Sequence, residues 1–506
     1  MYSWPPRALT ALALILSAQS AAALTPEEAW AGWQALGSTS GQTITATGTA
    51  RAGDTLTVSG ITVAAGQADT MAVAVAIASV DFKDRGDGTV EITYPPSYDA
   101  TLTFGPEMRD GPKSFVLAIA QDQLAVIASG SAEAPKYDYT AATITATAKD
   151  FVRQDGAAAD VNGVLTLTGL SGSYAAAPAG SAKALDSNFA AKTLGLTVTG
   201  SIPDASKTFS ANLSTSDIAF KGATVMVDPA LLEAGNMSAA LAAGFRVDGG
   251  GTTGPVKLVV DAKDHDTPNH LDLTLTGTEV HVLMDAARLD YGFGLNGGTV
   301  KATGFDMPFP EVASAFGEIG LGFAMPVKAS DEPQPFSALV KLVDLTLTEE
   351  VWAIFDPGAR LPRDPVSLIV DLAGTGAWTV DIMDPAAQME NGPDLPAKLF
   401  TLDLTQVLAQ AVGTKVVAIG GLTFDNANLE QYGGFPAPNG KITVTMDGIN
   451  ALMDALVAIG MVSQDDLMSA RMGLAMMAKP GVGPDQLISE IDFRDGGLFV
   501  NGQQMF

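Results

Sequence analysis

The chain has no cysteine among its 506 residues, only 3 histidines, and half as many basic as acidic side chains, 28 Lys and Arg against 56 Asp and Glu. Without cysteine there is no disulfide, no thiolate nucleophile and no thiolate-bound metal. The shortage of cations leaves a net charge of −28 and a pI near 4.3. Such a chain repels nucleic acid, whose phosphates are bound by clustered Lys and Arg. The same sign opposes electrostatic docking on anionic lipid and leaves apolar surface as the only route to membrane contact. Charge of either sign is scarce, 17% of residues against 47% hydrophobic, with a mean hydropathy of +0.22. That balance is too apolar for a solvated, unpacked chain. Long apolar runs are missing from the interior: the most apolar stretch, Met71 to Val80, has ten residues, about half of the ~20 a membrane-spanning helix needs.

The N-terminus carries the clearest address. Met1 to Arg7 holds one cation, an apolar stretch runs from Ala8 to about Ser20, and Ala21-Ala22-Ala23 offers a small-residue cleavage site. Residues 1–23 therefore read as a secretory signal peptide. The alternative, an uncleaved anchor, is disfavoured because the run is too short to span a bilayer and is followed by a helix start. With no cysteine after it, a lipoprotein anchor is unavailable. The expectation is an exported, periplasmic protein with no stable transmembrane anchor after cleavage.

The length allows two to four domains or one long continuous sheet. Two regions are expected, an Ala- and Thr-rich N-terminal β region at 24–225 and a C-terminal β region at 226–506. Period two dominates both. Leu56 and Val58 alternate with threonines, as do Leu165 and Leu167, then Leu194, Leu196 and Val198. Leu271, Leu273 and Leu275 continue the pattern, and so do Ile442, Val444 and Met446. Each such strand has one apolar face and one wet, Thr-rich face, and Gly60, Gly169, Gly200 and Gly277 read as strand ends entering turns.

Helices are few. Thr25-Pro26-Glu27-Glu28 starts one, with Trp30, Trp33 and Leu36 on one face. Asn236 caps a short helix from Met237, and Thr348 with Glu349 and Glu350 starts another that ends at Asp356-Pro357. Residues 450–478 form a helical hairpin whose second helix Ser463 caps, and a strand hairpin closes the chain. The fold class is mainly β (α+β): a large antiparallel sheet, curved or folded as a sandwich, with a few short helices and a C-terminal helix pair. Many one-sided strands then share very few covering helices, so either the sheet closes on itself or part of its apolar face forms a groove.

Residues suited to chemistry are sparse. Asp264-His265-Asp266 with His270 offers a His-Asp-His loop, but no third ligand stands at a helical spacing, and an acidic turn is the better reading. Lys83 to Gly88 and Asp425 to Asn428 are acidic turns lacking the alternate spacing of a calcium loop. No phosphate loop, nucleophile elbow or zinc-helix motif occurs. A carboxylate-based hydrolase is the third function class, with no acid pair singled out. Met468, Met472 and Met476 recur every four residues, a stripe that either fills a core or offers a soft surface to a lipid chain or partner helix. Trp30 and Trp33 read either as a packing lid or as a border to apolar surface. These five residues, Trp30, Trp33, Met468, Met472 and Met476, are the expected margin of any apolar binding surface. No catalytic residue, metal ligand or cofactor is assigned.

Several segments carry a resemblance. Leu24 to Trp30, Gly86-Asp87-Gly88-Thr89-Val90, Ser330 to Phe336, Phe355-Asp356-Pro357, Leu361 to Pro365, Phe424-Asp425-Asn426, Ser469 to Gly473 and Val500 to Gln503 together resemble a bacterial family, domain of unknown function 2125. The resemblance implies an exported alphaproteobacterial protein and brings no catalytic residues with it. A fainter likeness, in the β-rich body and the closing Gly-x-Leu-x-Val-Asn-Gly-Gln, is to AsmA-like periplasmic envelope proteins. From these readings the expected function is a non-catalytic envelope protein binding lipid or another amphiphile in an apolar groove. The alternative is a structural module that docks another envelope protein.

Overall fold

The computed structural model describes residues 24–505 apart from 40, 68, 108–110, 203–206, 234, 265–266, 306, 308, 385, 388–395, 428 and 430–433. The expected signal peptide and His265 lie outside the described residues.

Helix α1 spans Pro26–Thr39. The Thr25 hydroxyl accepts from the Glu28 amide at 3.2 Å, and the Glu28 carboxylate accepts from the Thr25 amide at 2.9 Å, a reciprocal capping box. The helix lays Trp30 and Trp33 on the first strands, Trp30 edge-on to Phe82 at 5.9 Å and Trp33 edge-on to Tyr94 at 5.9 Å. Beneath them Leu56, Val58, Ile61, Ile77, Val80, Phe82, Val90 and Ile92 form the largest buried cluster.

From Gln42 the chain is one antiparallel meander in a single sheet. The β-branched and threonine-rich alternation foreseen from sequence suits strands that are half buried. Thr55–Gln67 pairs with Met71–Asp84. The longest strands follow in order, Pro135–Arg153, Asp160–Ala179, Ala182–Ile202 and Lys207–Met226, each pairing with the next. The ladder continues through Thr267–Met284, Arg288–Thr303, Val312–Pro326, Gln334–Leu347, Val366–Trp378, Ala397–Ala411, Thr414–Asp425 and Ala437–Asp447 to Gln486–Arg494 and Gly497–Val500. No pairing among the described residues joins the first strand to the last, so the sheet is open.

A line of irregularities crosses this sheet. Gly60, Gln123, Gly169, Asp217, Gly297 and Asp344 have φ of 59°, 53°, 59°, 51°, 49° and 54°. Register aligns them: 169 lies opposite 192, 192 opposite 217, 297 opposite 317, and 317 opposite 344, bracketed by the pairs on either side. Rungs that break in two, such as Val90–Thr93 with Ser97–Phe104 and Arg246–Thr253 with Val256–Asp264, break on the same line. Gly60 and Gly169 are thus mid-strand and end nothing, unlike the sequence reading.

The line changes which residues face the core. Side chains alternate along a strand, so Leu56 and Val58 should face away from Ile61. All three nevertheless pack in one cluster, as do Ile77, Val80 and Phe82 of the next strand. A left-handed residue turns the chain so that the following side chain keeps to the same side, as at a bulge. The apolar positions switch phase at this line in strand after strand: Leu165 and Leu167 before Gly169 but Leu170 after it, Leu289 to Leu295 before Gly297 but Val300 and Ala302 after it. The phase switch keeps one face apolar from end to end.

Helices cover that face in patches. Short helices α2, Pro229–Glu233, and α3, Met237–Ala242, follow Lys207–Met226 and pack Ala240, Leu241 and Phe245 against Val327. Asn236 caps α3 as expected, accepting from the Ala239 amide at 3.0 Å. They stand where the boundary near 225 was drawn, and the ladder runs on across it. Helix α4 is Glu349–Trp352, and α5, Ile449–Ala458, with α6, Gln464–Met477, makes the hairpin. The protein exposes 28189 Å², against ~17,000 Å² for a compact globule of this mass. One-sided packing of a long open sheet contributes to the excess.

Candidate functional site

The apolar face is bare over its middle. Phe220, Val280, Phe293, Leu321 and Val340 are 37–47% exposed. They are not scattered: Phe220 lies opposite Gly251, Gly251 opposite Val280, Val280 opposite Phe293, Phe293 opposite Leu321, and Leu321 opposite Val340. Directly opposed residues share a face, so these form one transverse row across six adjacent strands. Val282, Tyr291 and Phe323 make a parallel row on one side, with the Tyr291 and Phe323 rings 5.8 Å apart. Leu295, Ile319 and Leu342 make another on the other side. The reverse face is small and polar. Gly292 lies beneath the His281 ring and Gly294 beside Glu279, while Lys341 pairs with Glu318 at 3.1 Å.

Beside the crease the same face deepens. Leu170 opposite Ala141, and Leu275 with Phe316 across Gly298, are buried with no helix among the described residues packed on them. A side chain on Gly298 would collide with the Phe316 ring. Burial by neighbouring sheet alone is what a fold toward the apolar side produces, so the face is a trough with the crease as its floor. A contiguous exposed apolar surface of this extent marks a binding surface in a folded protein.

The five residues singled out from sequence fall in two places away from this row. Trp30 is buried and Trp33 half-buried beneath α1, at the N-terminal end of the apolar face. Met468, Met472 and Met476 stand 65–69% exposed on α6, which buries only Leu467. The transverse row itself was missed, because its members belong to strands whose apolar phase changes at Gly297 and Asp344 and whose register no single strand reveals. The phase change at Gly297 is the signal that identifies the row.

Polar clusters are structural rivets. Buried Asp356 accepts from the amides of Arg360 at 3.0 Å and Leu361 at 2.8 Å and from the Arg363 guanidinium at 2.6 Å. Burial pushes its carboxyl up, but those donors prevail and hold it down at about 2. Arg363 also pairs with Glu349 and stacks over Trp352 at 4.6 Å, tying α4 to the following loop. His270 pairs with Asp261 at 2.8 Å and His281 with Asp290 at 3.1 Å. Among the described residues no three His, Asp or Glu side chains converge to hold a metal ion, and no helix is long and apolar enough to cross a membrane.

Sheet and trough together define a mainly β protein with few helices, built as an open meander with one apolar face. Residues 255–504 match the model of the family described as "Uncharacterized protein conserved in bacteria (DUF2125)". The match begins at the strand break on the crease and includes Val280, Phe293, Leu321 and Val340. No curated protein and no solved structure matches the chain.

Proposed function

We propose that this is an exported, non-catalytic protein of the bacterial envelope that holds a lipid or another amphiphile against its apolar trough. The observation that carries the reading is the transverse row from Phe220 to Val340, exposed across six neighbouring strands with no covering element among the described residues. Each methylene laid there gains ~0.8 kcal/mol, which for a long acyl chain sums to on the order of 10 kcal/mol before its lost freedom is counted. Export rests on the pattern of Met1 to Ala23. The test is the double variant Phe293→Glu with Leu321→Glu, which places two charges in the exposed row. Retention of amphiphile is expected to fall at least tenfold with melting unchanged within a few degrees, and undiminished retention contradicts the reading.

The exposed methionines of α6 favour a second reading, docking of another envelope protein through a soft helix face. Crosslinking from position 472 in whole cells tests it: a discrete adduct supports docking, and none is expected under the trough reading alone.

A further inference from the structure

A cleft of about 610 Å³ opens at the lip of the sheet, at the ends of four central strands. Its walls are apolar, Phe151, Val161 and Phe209 foremost, and its polar side chains are Arg153, Gln154, Asp155, Asp160 and Ser201, of which Gln154 gives its amide protons to the carbonyls of Gly105 and Pro112. That volume and mixture match a small-ligand site. Its position connects it to the trough. Val161 lies opposite Gly200 and Gly200 opposite Phe209, whose ring occupies the space a Gly200 side chain would take. The same two ladders continue inward as Gly163, Val198 and Ala211, then Leu165, Leu196 and Leu213. From Phe209 to the crease at Asp217 the strand spans ~26 Å at ~3.3 Å per residue. One leaflet of a bilayer is roughly 15 Å of hydrocarbon, so an acyl chain entering at the lip lies wholly on apolar wall. On the far side of Phe151 the rings of Phe115 and Phe104 extend the same edge, stacked at 4.7 and 5.8 Å.

The polar groups specify the head. Arg153 is held by Asp155 at 2.6 Å and Asp160 accepts from the Ser201 hydroxyl at 2.5 Å. One cation against two carboxylates leaves the cleft at −1, which repels a carboxylate or phosphate head. Hydroxyl groups suit it, since they donate to Asp160 and to the Ser201 oxygen and accept from Arg153 without bringing charge. We propose that this cleft is the port that seats an uncharged, hydroxyl-bearing head, such as glycerol or a sugar, while the acyl chain runs into the trough. The proposal rests on the trough reading and adds a head chemistry to it.

Calorimetric titration of the delipidated full-length protein with monopalmitoylglycerol and with palmitate tests it. The glyceride is expected to bind at least tenfold tighter. Asp160→Ala should weaken the glyceride about tenfold, the worth of one to two hydrogen bonds. Asp160→Asn, which keeps the shape and removes one negative charge, should instead strengthen palmitate severalfold, a change that a merely structural residue would not produce. Palmitate binding as tightly as the glyceride, or both variants titrating like the parent protein, overturns the port and leaves the trough standing. Failure of the parent protein to bind either compound overturns the trough reading and the port with it.

Discussion

At the scale of single residues, the crease depends on backbone that side chains rarely tolerate. Gly297 sits at φ 49° with the Thr276 side chain where its Cβ would go. Gly297→Val is expected to cost ~1–3 kcal/mol and to lower the melting temperature by several degrees. Asp217→Gly, at φ 51° on an exposed site, should be neutral or slightly stabilising in the same assay, since glycine adopts that region freely. Asp356 predicts a pH dependence of definite sign. Its folded carboxyl titrates at about 2, below the unfolded value of ~3.9. Its contribution is therefore fully present above pH ~4 and lost as pH falls toward 2. An Asp356→Asn variant should melt lower than the parent at neutral pH and lose less stability between pH 4 and 2. Sequence could place Gly60 and Gly169 but could not assign their role. A glycine that ends a strand and one that creases it look alike until the register of the partner strand is known.

At the scale of elements, local rules served well where a short segment decides its own structure. Thr25 with Glu28, Asn236 and Ser463 all cap the helices expected of them, Ser463 accepting from the Asp466 amide at 3.1 Å. Thr25→Ala should cost about 1 kcal/mol by loss of that cap, measured by denaturant unfolding. Helix α2 was not foreseen, since five residues offer no periodicity to read. The faces of two helices divide the expected site. Trp30 is core, and Trp30→Ala should cost ~3–5 kcal/mol as the cavity it leaves persists. Met468, Met472 and Met476 are solvent-facing, so their joint replacement by Gln should leave stability within about 1 kcal/mol. Periodicity placed both sets on one helical face each but did not say which face would find a neighbour.

At the scale of the whole molecule, the antiparallel alternation, the scarcity of helices and the resulting shortage of cover were legible from residues such as Leu194, Leu196 and Val198. The choice between a closed and an open sheet was not, because it depends on pairings between strands far apart in sequence. The row from Phe220 to Val340 exists only once six strands are in register. The crease explains how a meander this long stays one-sided: each strand changes phase where it crosses the line. Twisted open sheets rarely exceed ~10 strands without curling or splitting, and folding along a crease is the form that curling takes here. Under the proposed function the trough is occupied in the envelope. Native mass spectrometry of the protein prepared gently from a periplasmic extract, followed by solvent extraction, tests it most directly. An added mass at defined stoichiometry, identified on extraction as an acyl-bearing amphiphile, is expected. A bare protein mass, under conditions where a known lipid carrier keeps its lipid, would contradict it.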